Sequence, residues 1–445
     1  MESLIDKSLV YKSVQVAHGT HVLSRTVQQS GSTTQALDVS GGGTSVFEIA
    51  PGSVINLSKS VLSFRLTPTA GGANLYNKMF VTGAPMIRSI QLTTREGLHL
   101  CDLQDANKFL SAVVLPSISY GELLESEAPS GVANSSVPSI GYGHNTSLVG
   151  PQAPRDDVGT TLIGTGIRNI CHGAAVDQAS PVIDWSLSLS IFKNTILSQD
   201  LNHYFAGQSV FLTITWAPFT SLGFVGSSTT AVNTAIADLV GAGITNMYFY
   251  QSLEQNAEAI QLARVPRTIQ IPFVYTNKLA LTGASHTVNV RYSRSHGSKL
   301  RQLYWVPFNQ VTTAGYQFDH SNVFGSASVK MLSFNTQLNN IRLQPFDLSS
   351  TYAGGFTDFL FMKRYLKGTA LSTPLDYYRN WFYLDSFIVD QNHNEIDTDD
   401  GFDLSAEDVL YTVSCTPGAV SDLNHHVFAV TQRSISTHDG RITMT

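Results

Sequence analysis

Two ten-residue segments share one pattern, and this repetition constrains the fold more than any other feature. Residues 209–218 read SVFLTITWAP and residues 408–417 read DVLYTVSCTP. Both run valine, two apolar residues, threonine, a β-branched aliphatic residue, a small hydroxyl residue, two further residues and proline. Such residues favour a pleated, half-buried strand, and proline ends the pairing because it has no N–H to donate. We therefore predict that each segment closes a similar unit, and that the unit occurs twice.

Further pairs of segments recur in the same order along the chain. They are 87–92 with 338–343, the predicted short helices 106–110 with 357–361 that follow them, and, more weakly, 183–189 with 379–385. The alternative is chance similarity, because alternating apolar residues are common in β-proteins. Three pairs in one order favour an internal duplication.

The composition is poor in charge. Charged residues make up 13% of the 445 residues, about half the usual share, whereas the hydrophobic share of 42% is ordinary. A surface of small polar groups suits a protein that covers much of its outside with copies of itself. The formal net charge of −6 predicts no general attraction to nucleic acid, and we expect no direct sequence-specific nucleic-acid binding.

Cysteine usage and hydropathy indicate the compartment. Cys101, Cys171 and Cys415 are far apart and lack metal-ligand spacing, which predicts buried thiols in a reducing compartment. No apolar run approaches the roughly 18 residues of a membrane span. The first residues lack the charge and apolar core of a signal peptide, so we expect the chain to be made and used in a cytosol.

Short alternating segments bounded by glycine and proline predict an all-β chain of two antiparallel sandwiches. Few segments have the period of a long amphipathic helix. The predicted divisions are an N-terminal arm (1–44) that orders against a neighbour, a first sandwich (45–220) with a long loop (116–180), a linker (221–245) and a second sandwich (246–445).

The duplicated closing strands, the duplicated strand-and-helix units, the long loop and the leading arm form a recognisable plan. It resembles the double jelly-roll major capsid proteins, the lineage that includes adenovirus hexon and the capsid proteins of virophages and polinton-like viruses. The resemblance spans nearly the whole chain but is architectural, without a motif that transfers a site residue by residue. It implies two consecutive eight-stranded antiparallel jelly-roll sandwiches with short helices in the loops.

The resemblance also implies a function. The chain would form a homotrimer that serves as a pseudo-hexameric capsomer and self-assembles into an icosahedral shell. It would be located in the virion and made in the host cytosol or nucleus. Its partners would be itself, a vertex (penton) protein and minor capsid proteins; an internal membrane beneath the shell is left open. The loop 116–180 would then be a tower or intersubunit loop, and the arm 1–44 would lie inside.

Two alternative functions stay open. One is a two-domain β-sandwich carbohydrate-binding protein or glycan-active enzyme, which needs paired carboxylates and exposed aromatic residues in a groove. The other is a trimeric phage fibre or spike protein. Enzymatic signals are sparse, so we predict a protein that is not an enzyme, with no catalytic, cofactor-binding or metal residues and no cofactor.

Several segments have both a purely structural and a functional interpretation. Gly164 and Gly166 predict a tight turn rather than a nucleotide site, because a flanking strand and helix are lacking. His425 and His426 are predicted to be exposed loop residues, because neighbouring strand positions face opposite sides and cannot share a metal. Cys101 belongs to no recognisable nucleophile pattern.

The acidic run 395–403 is the best candidate site, with a calcium site at a subunit contact as the alternative to a solvated loop. Its glycine falls one position early for an EF-hand, and no glutamate closes it. Asp102 and Asp105 are predicted to cap a helix start rather than to form a carboxylate pair. The aromatic residues within 377–387 are predicted to pack in the core or between subunits rather than to stack on bases or sugars.

Overall fold

The fold is described from a computed structural model. The residues that it describes are 21–27, 35–36, 43–67, 86–114, 127–130, 183–217, 243–282, 286–309, 331–344, 347–349, 383–387, 401–417, 423–438 and 441–445. Antiparallel strands dominate these residues, and the α-helices among them are short.

The first half of the described chain contains eleven strands and one α-helix. They are β1 (His21–Val27), β2 (Gln35–Ala36), β3 (Thr44–Ile49), β4 (Val54–Thr67), β5 (Ile87–Thr94), β6 (His99–Leu103), α1 (Ala106–Phe109), β7 (Glu127–Ser130), β8 (Ile183–Ser188), β9 (Asn202–Tyr204), β10 (Val210–Trp216) and β11 (Gly243–Glu254). A π-helical turn, Leu110–Val114, follows α1 directly.

The second half begins with a helix and again contains eleven strands among the described residues. They are α2 (Ala257–Arg264), β12 (Arg267–Leu281), β13 (His286–Tyr292), β14 (Lys299–Asn309), β15 (Met331–Leu338), β16 (Ile341–Arg342), β17 (Leu348–Ser349), β18 (Tyr383–Ser386), β19 (Phe402–Asp403), β20 (Val409–Pro417), β21 (Leu423–His438) and β22 (Arg441–Met444).

The two halves have the same strand order. In the first half one sheet runs β1-β11-β4-β8 and the other β3-β10-β5-β6. In the second half the sheets run β12-β21-β14-β18 and β13-β20-β15-β16. When the eight main strands of each half are counted along the chain, both halves have the order 1-8-3-6 and 2-7-4-5, which is the jelly-roll order. The predicted double jelly roll is therefore confirmed.

The predicted divisions are wrong at two strands. β1 lies in the predicted arm and β11 in the predicted linker and second sandwich, yet they pair with each other, with His21 opposite Glu254. Both belong to the first jelly roll, and the second begins at β12. The first and eighth strands of a jelly roll are neighbours although they are far apart in sequence, and local composition carries no signal of that pairing.

The duplication holds for two of the three pairs of segments. The predicted closing strands are β10 and β20, and each is the seventh strand of its jelly roll. The weaker pair corresponds to β8 and β18, the sixth strand in each. The predicted first helix, 106–110, is also present as α1 and the start of the turn after it.

The pair 87–92 with 338–343 is wrong in its second member. β5 is a fourth strand, and its counterpart β15 ends at Leu338. Asn339 and Asn340, with φ of 49° and 65°, turn the chain into β16. A two-residue hairpin turn needs this left-handed conformation, which asparagine tolerates. The segment 338–343 is therefore the end of one strand, a turn and the start of the next strand, although its apolar spacing resembles that of a single strand. The second predicted helix, 357–361, lies outside the described residues.

Alternation along β10 determines its buried face. Every second side chain is buried: Val210, Leu212, Ile214 and Trp216. Trp216 packs edge-on against Phe64, with ring centroids 4.9 Å apart, and donates its indole N–H to Ser45 Oγ at 2.8 Å. Each large apolar side chain buried in this way contributes about 1.5–3 kcal/mol. The core of the first jelly roll is thus closed by the seventh strand, as its pattern predicts.

Candidate functional site at the junction of the two jelly rolls

Helix α1 joins the two jelly rolls. Its Phe109 is fully buried, and its ring lies 5.1 Å from Phe428 and 6.2 Å from Tyr304, measured between centroids. Those two partners belong to β21 and β14 of the second jelly roll. Because their shared surface is removed from water, the apolar contact stabilises one relative placement of the two jelly rolls.

Hydrogen bonds to backbone carbonyls add orientation to this apolar contact. Arg267 at the start of β12 donates from Nη2 to the carbonyl oxygen of Asn202 at 2.7 Å. Thr276, further along β12, donates from Oγ1 to the carbonyl oxygen of Gln104 at 2.8 Å. Strand β12 of the second jelly roll therefore binds the start of β9 and the turn before α1 in the first one.

A buried histidine lies beside this contact. His203 on β9 is 2% exposed. Burial, together with the positive charge of Arg267, lowers the pKa of His203 to about 3. The imidazole is therefore neutral at neutral pH, and its ring stacks on Phe205 with centroids 5.8 Å apart.

The prediction of exposed histidines at 425–426 is wrong. His425 and His426 both have 0% exposure and lie inside β21. The adjacent sheet and α1 cover them, which the local sequence does not reveal. Their side chains do face opposite sides, as expected of neighbouring strand residues.

His426 faces the first jelly roll. Its Nε2 lies 3.6 Å from Asp105 Oδ2 and 3.4 Å from Lys108 Nζ. Burial lowers the pKa of Lys108 to about 8. Burial raises the pKa of Asp105, but contact with His426 and the charge of Lys108 lower it more strongly, to about 2.

The prediction that Asp102 and Asp105 cap a helix is wrong in its chemistry. Asp105 occupies the position before α1, but its carboxylate makes no capping hydrogen bond and its φ is 50°. Asp102 accepts from Gln91 Nε2 at 2.9 Å across the β5–β6 pair. The contact of Asp105 with the other jelly roll, not the helix start, accounts for its position.

His425 faces the interior of the second jelly roll and lies in a cluster of possible metal ligands. Its Nε2 is 2.9 Å from His286 Nδ1, and Trp305 Nε1 donates to its Nδ1 at 3.1 Å. Cys415 Sγ completes the cluster, and the ligand atoms of the three residues lie within 4.8 Å of one another. The sequence does not reveal this cluster, because its three residues are separated by up to 139 positions. The prediction of no metal-binding residues therefore did not consider it.

A buried carboxylate in the second core was also missed. Asp385 on β18 is 7% exposed and accepts from Tyr411 Oη at 2.8 Å. Burial raises the pKa of Asp385 to about 6, against the opposing effect of its hydrogen bonds. Its place next to two apolar residues, Tyr383 and Leu384, is the only sequence signal of burial.

The remaining candidates are partly visible. Burial, with the charge of Asp102, raises the pKa of the Cys101 thiol to about 12, which disfavours a nucleophile. Tyr383 is buried as predicted for the aromatic run, and Phe387 packs against the core. Asp403 is exposed and accepts from the Ser405 backbone N–H at 2.8 Å. Gly164 and Gly166 lie outside the described residues. The same is true of residues 377–382 of the aromatic run and residues 395–400 of the acidic run.

Within the described part of the chain, no helix has both the length and the apolar character needed to cross a bilayer.

The fold is similar to solved structures of viral capsid proteins. PBCV-1 VP54, fitted into a reconstruction of the virophage Sputnik, matches with a TM-score of 0.56 and 11% identity over 98% of this chain and 99% of that one. The Faustovirus major capsid protein matches at 0.54 and 10% identity, over 94% and 90%. The mavirus major capsid protein matches at 0.50 and 10% identity, over 98% and 92%. The chain therefore has the double jelly-roll fold of these proteins. No family model and no curated protein sequence matches it significantly.

Proposed function

We propose that this chain is a viral major capsid protein that forms a homotrimer and assembles into an icosahedral shell. The observation that carries the proposal is the tandem of two jelly rolls with identical strand order, joined by a buried contact between Phe109 and Phe428. Three such chains present six similar units around one axis, which is the requirement for a pseudo-hexameric capsomer.

The fold likeness supports this proposal, because it extends over at least 90% of both chains for PBCV-1 VP54 and the Faustovirus protein. The low charged fraction of 13% agrees with a surface that copies of the chain cover. We also propose, on the same likeness, that the chain is a structural protein rather than an enzyme. We propose the virion as its location, a vertex protein and minor capsid proteins as its further partners, and a tower or intersubunit position for the loop 116–180.

The test is size-exclusion chromatography with light scattering on the full chain, followed by negative-stain microscopy of the main peak. We expect a compact particle of three times the 48.3 kDa chain mass, with a hexagonal outline, or closed shells. A chain that stays monomeric at high concentration contradicts the proposal and favours the carbohydrate-binding alternative. An elongated trimer contradicts it in favour of a fibre or spike protein.

A further inference from the structure

We propose that His286, Cys415 and His425 bind one zinc ion inside the second jelly roll. The inference goes beyond the capsid function and does not depend on it. Two imidazoles and a thiol are the ligand types that zinc prefers, whereas calcium and magnesium need oxygen ligands.

The three residues come from rigid elements of two facing sheets. His286 on β13 and Cys415 on β20 are directly opposite each other in one sheet. His425 projects from β21, which belongs to the other sheet. Since all three positions lie in paired strands, the side chains converge without a loop having to close around the ion, and a bound ion would link the two sheets.

The spacing is close to that of a metal site. A tetrahedral zinc ion, with Zn–N of about 2.0–2.1 Å and Zn–S of about 2.3 Å, holds its ligand atoms about 3.3–3.6 Å apart. His286 Nδ1 and His425 Nε2 are 2.9 Å apart, and every ligand atom lies within 4.8 Å of the others. The two nitrogens must separate by a few tenths of an ångström and the sulfur must move inward, which side-chain rotation can supply.

The protonation of His425 shows which hydrogen bond a zinc ion would replace. Because Trp305 Nε1 donates to His425 Nδ1, neutral His425 carries its proton on Nε2 and donates it to His286 Nδ1. A zinc ion bound between these nitrogens takes the place of that proton. His425 then carries its proton on Nδ1, so its ring must shift away from the indole N–H of Trp305, and the Cys415 thiol releases its proton to solvent.

The duplicated strand supplies an internal comparison. In the aligned closing strands, Cys415 of β20 corresponds to Trp216 of β10. The first jelly roll fills that place with an indole packed on Phe64. The fold itself therefore accepts an apolar residue at this position, and a polar cluster in its place costs desolvation that a bound ion would offset.

A cavity of about 230 Å³ lies beside the cluster. His425 forms part of its wall, with Asn277, Val288 and Arg291 among the other lining residues. His286 and Cys415 are not among the lining residues, so the cavity borders the cluster on the His425 side. A water molecule would be the fourth ligand of a tetrahedral ion held by these three side chains.

The test uses the full chain, stripped of metal with a chelator and then titrated with Zn²⁺ or Co²⁺. We expect one Zn²⁺ per chain by elemental analysis, and for Co²⁺ a thiolate charge-transfer band with intense tetrahedral d–d bands. Cys415→Ser should lose the charge-transfer band and bind at least about 10- to 100-fold more weakly. Cys101→Ser, at a buried thiol outside the cluster, is the matched control and should bind like the natural chain.

A measurement on the natural chain keeps the test independent of variant folding. Zn²⁺ should raise the midpoint of thermal unfolding, and chelator should reverse the shift. Absence of a thiolate–cobalt band in the folded natural chain overturns the proposal. Equal Zn²⁺ binding by the natural chain and a folded Cys415→Ser variant overturns it too, since the ion then lies elsewhere.

Discussion

Phe109 and Phe428 lie 5.1 Å apart between ring centroids, although they belong to different jelly rolls. The contact makes α1 a shared element of both cores. Its position after the fifth strand of the first jelly roll places the helix against β14 and β21 of the second. The joint between the halves is therefore a packed apolar surface supported by hydrogen bonds.

Phe109→Ala should weaken this joint. Removing a fully buried phenylalanine costs about 3–5 kcal/mol of unfolding free energy, and the loss should speed hydrogen exchange in β14 and β21. The control is Phe47→Ala, because Phe47 packs against Phe249 within the first jelly roll. It should cost a similar free energy in urea unfolding but leave exchange in β14 and β21 nearly unchanged. Equal exchange patterns in the two variants would refute the role of the joint.

His203 should make the protein less stable in acid. Its folded pKa of about 3 lies below the unfolded value of about 6.5, so its stabilising contribution is present above pH 6.5 and is lost as pH falls toward 3. Between pH 6.5 and 5 this group should cost about 2 kcal/mol. Urea unfolding at pH 6.5 and at pH 5 measures this loss of unfolding free energy. The loss between the two pH values should be smaller for His203→Gln than for the natural chain by the contribution of His203. His99→Gln, at an exposed position, is the control and should follow the natural chain.

Asp385 should act in the opposite direction. Its folded pKa of about 6 is above the ordinary aspartate pKa of 3.8, so its contribution is present at low pH and is lost as pH rises through about 6. Asp385→Asn should therefore be more stable than the natural chain at pH 7.5, by up to about 3 kcal/mol. That difference should shrink on acidification to pH 5. A difference independent of pH between these limits would show that the buried carboxylate is not the cause.

Two glycines leave no room for a side chain. A Cβ at Gly297 would lie 2.5 Å from the Gln432 carbonyl oxygen, and one at Gly401 would lie 2.8 Å from that of Leu300. Both also have positive φ, of 139° and 132°. Alanine at either position should cost at least about 2 kcal/mol in urea unfolding. Gly52→Ala shares the positive φ but meets nothing within 4 Å, so it should cost only about 1 kcal/mol.

The two asparagines of the β15–β16 turn share a left-handed backbone conformation but differ in their side-chain hydrogen bonds. Asn339 accepts from the Leu410 backbone N–H at 2.7 Å, whereas Asn340 is exposed. Glycine suits both left-handed positions, so Asn340→Gly should be neutral or slightly stabilising. Asn339→Gly should cost about 1 kcal/mol, because the N–H of Leu410 loses its partner. Thermal unfolding of both variants checks this, and equal effects would contradict it.

Part of the candidate site could be read from the sequence and part could not. The compact apolar residues at 106–110 predict a short helix, and α1 confirms it. Its partner in the second jelly roll was not predicted, because Phe428 lies more than 300 positions further along the chain. The burial of His425 and His426 was mispredicted for the same reason: a polar side chain becomes buried only when a distant element covers it.

Local sequence patterns predict many of the strands and two of the three duplicated pairs of segments. Side chains alternate between the two faces of a strand, so the patterns of β10 and β20 can be recognised from their own short sequences. Tertiary packing decides which strands pair across long separations, as β1 does with β11. It also decides that His286, Cys415 and His425 converge. The physical reason is that alternation specifies which face of a strand is buried, whereas packing of the whole chain specifies what lies against that face.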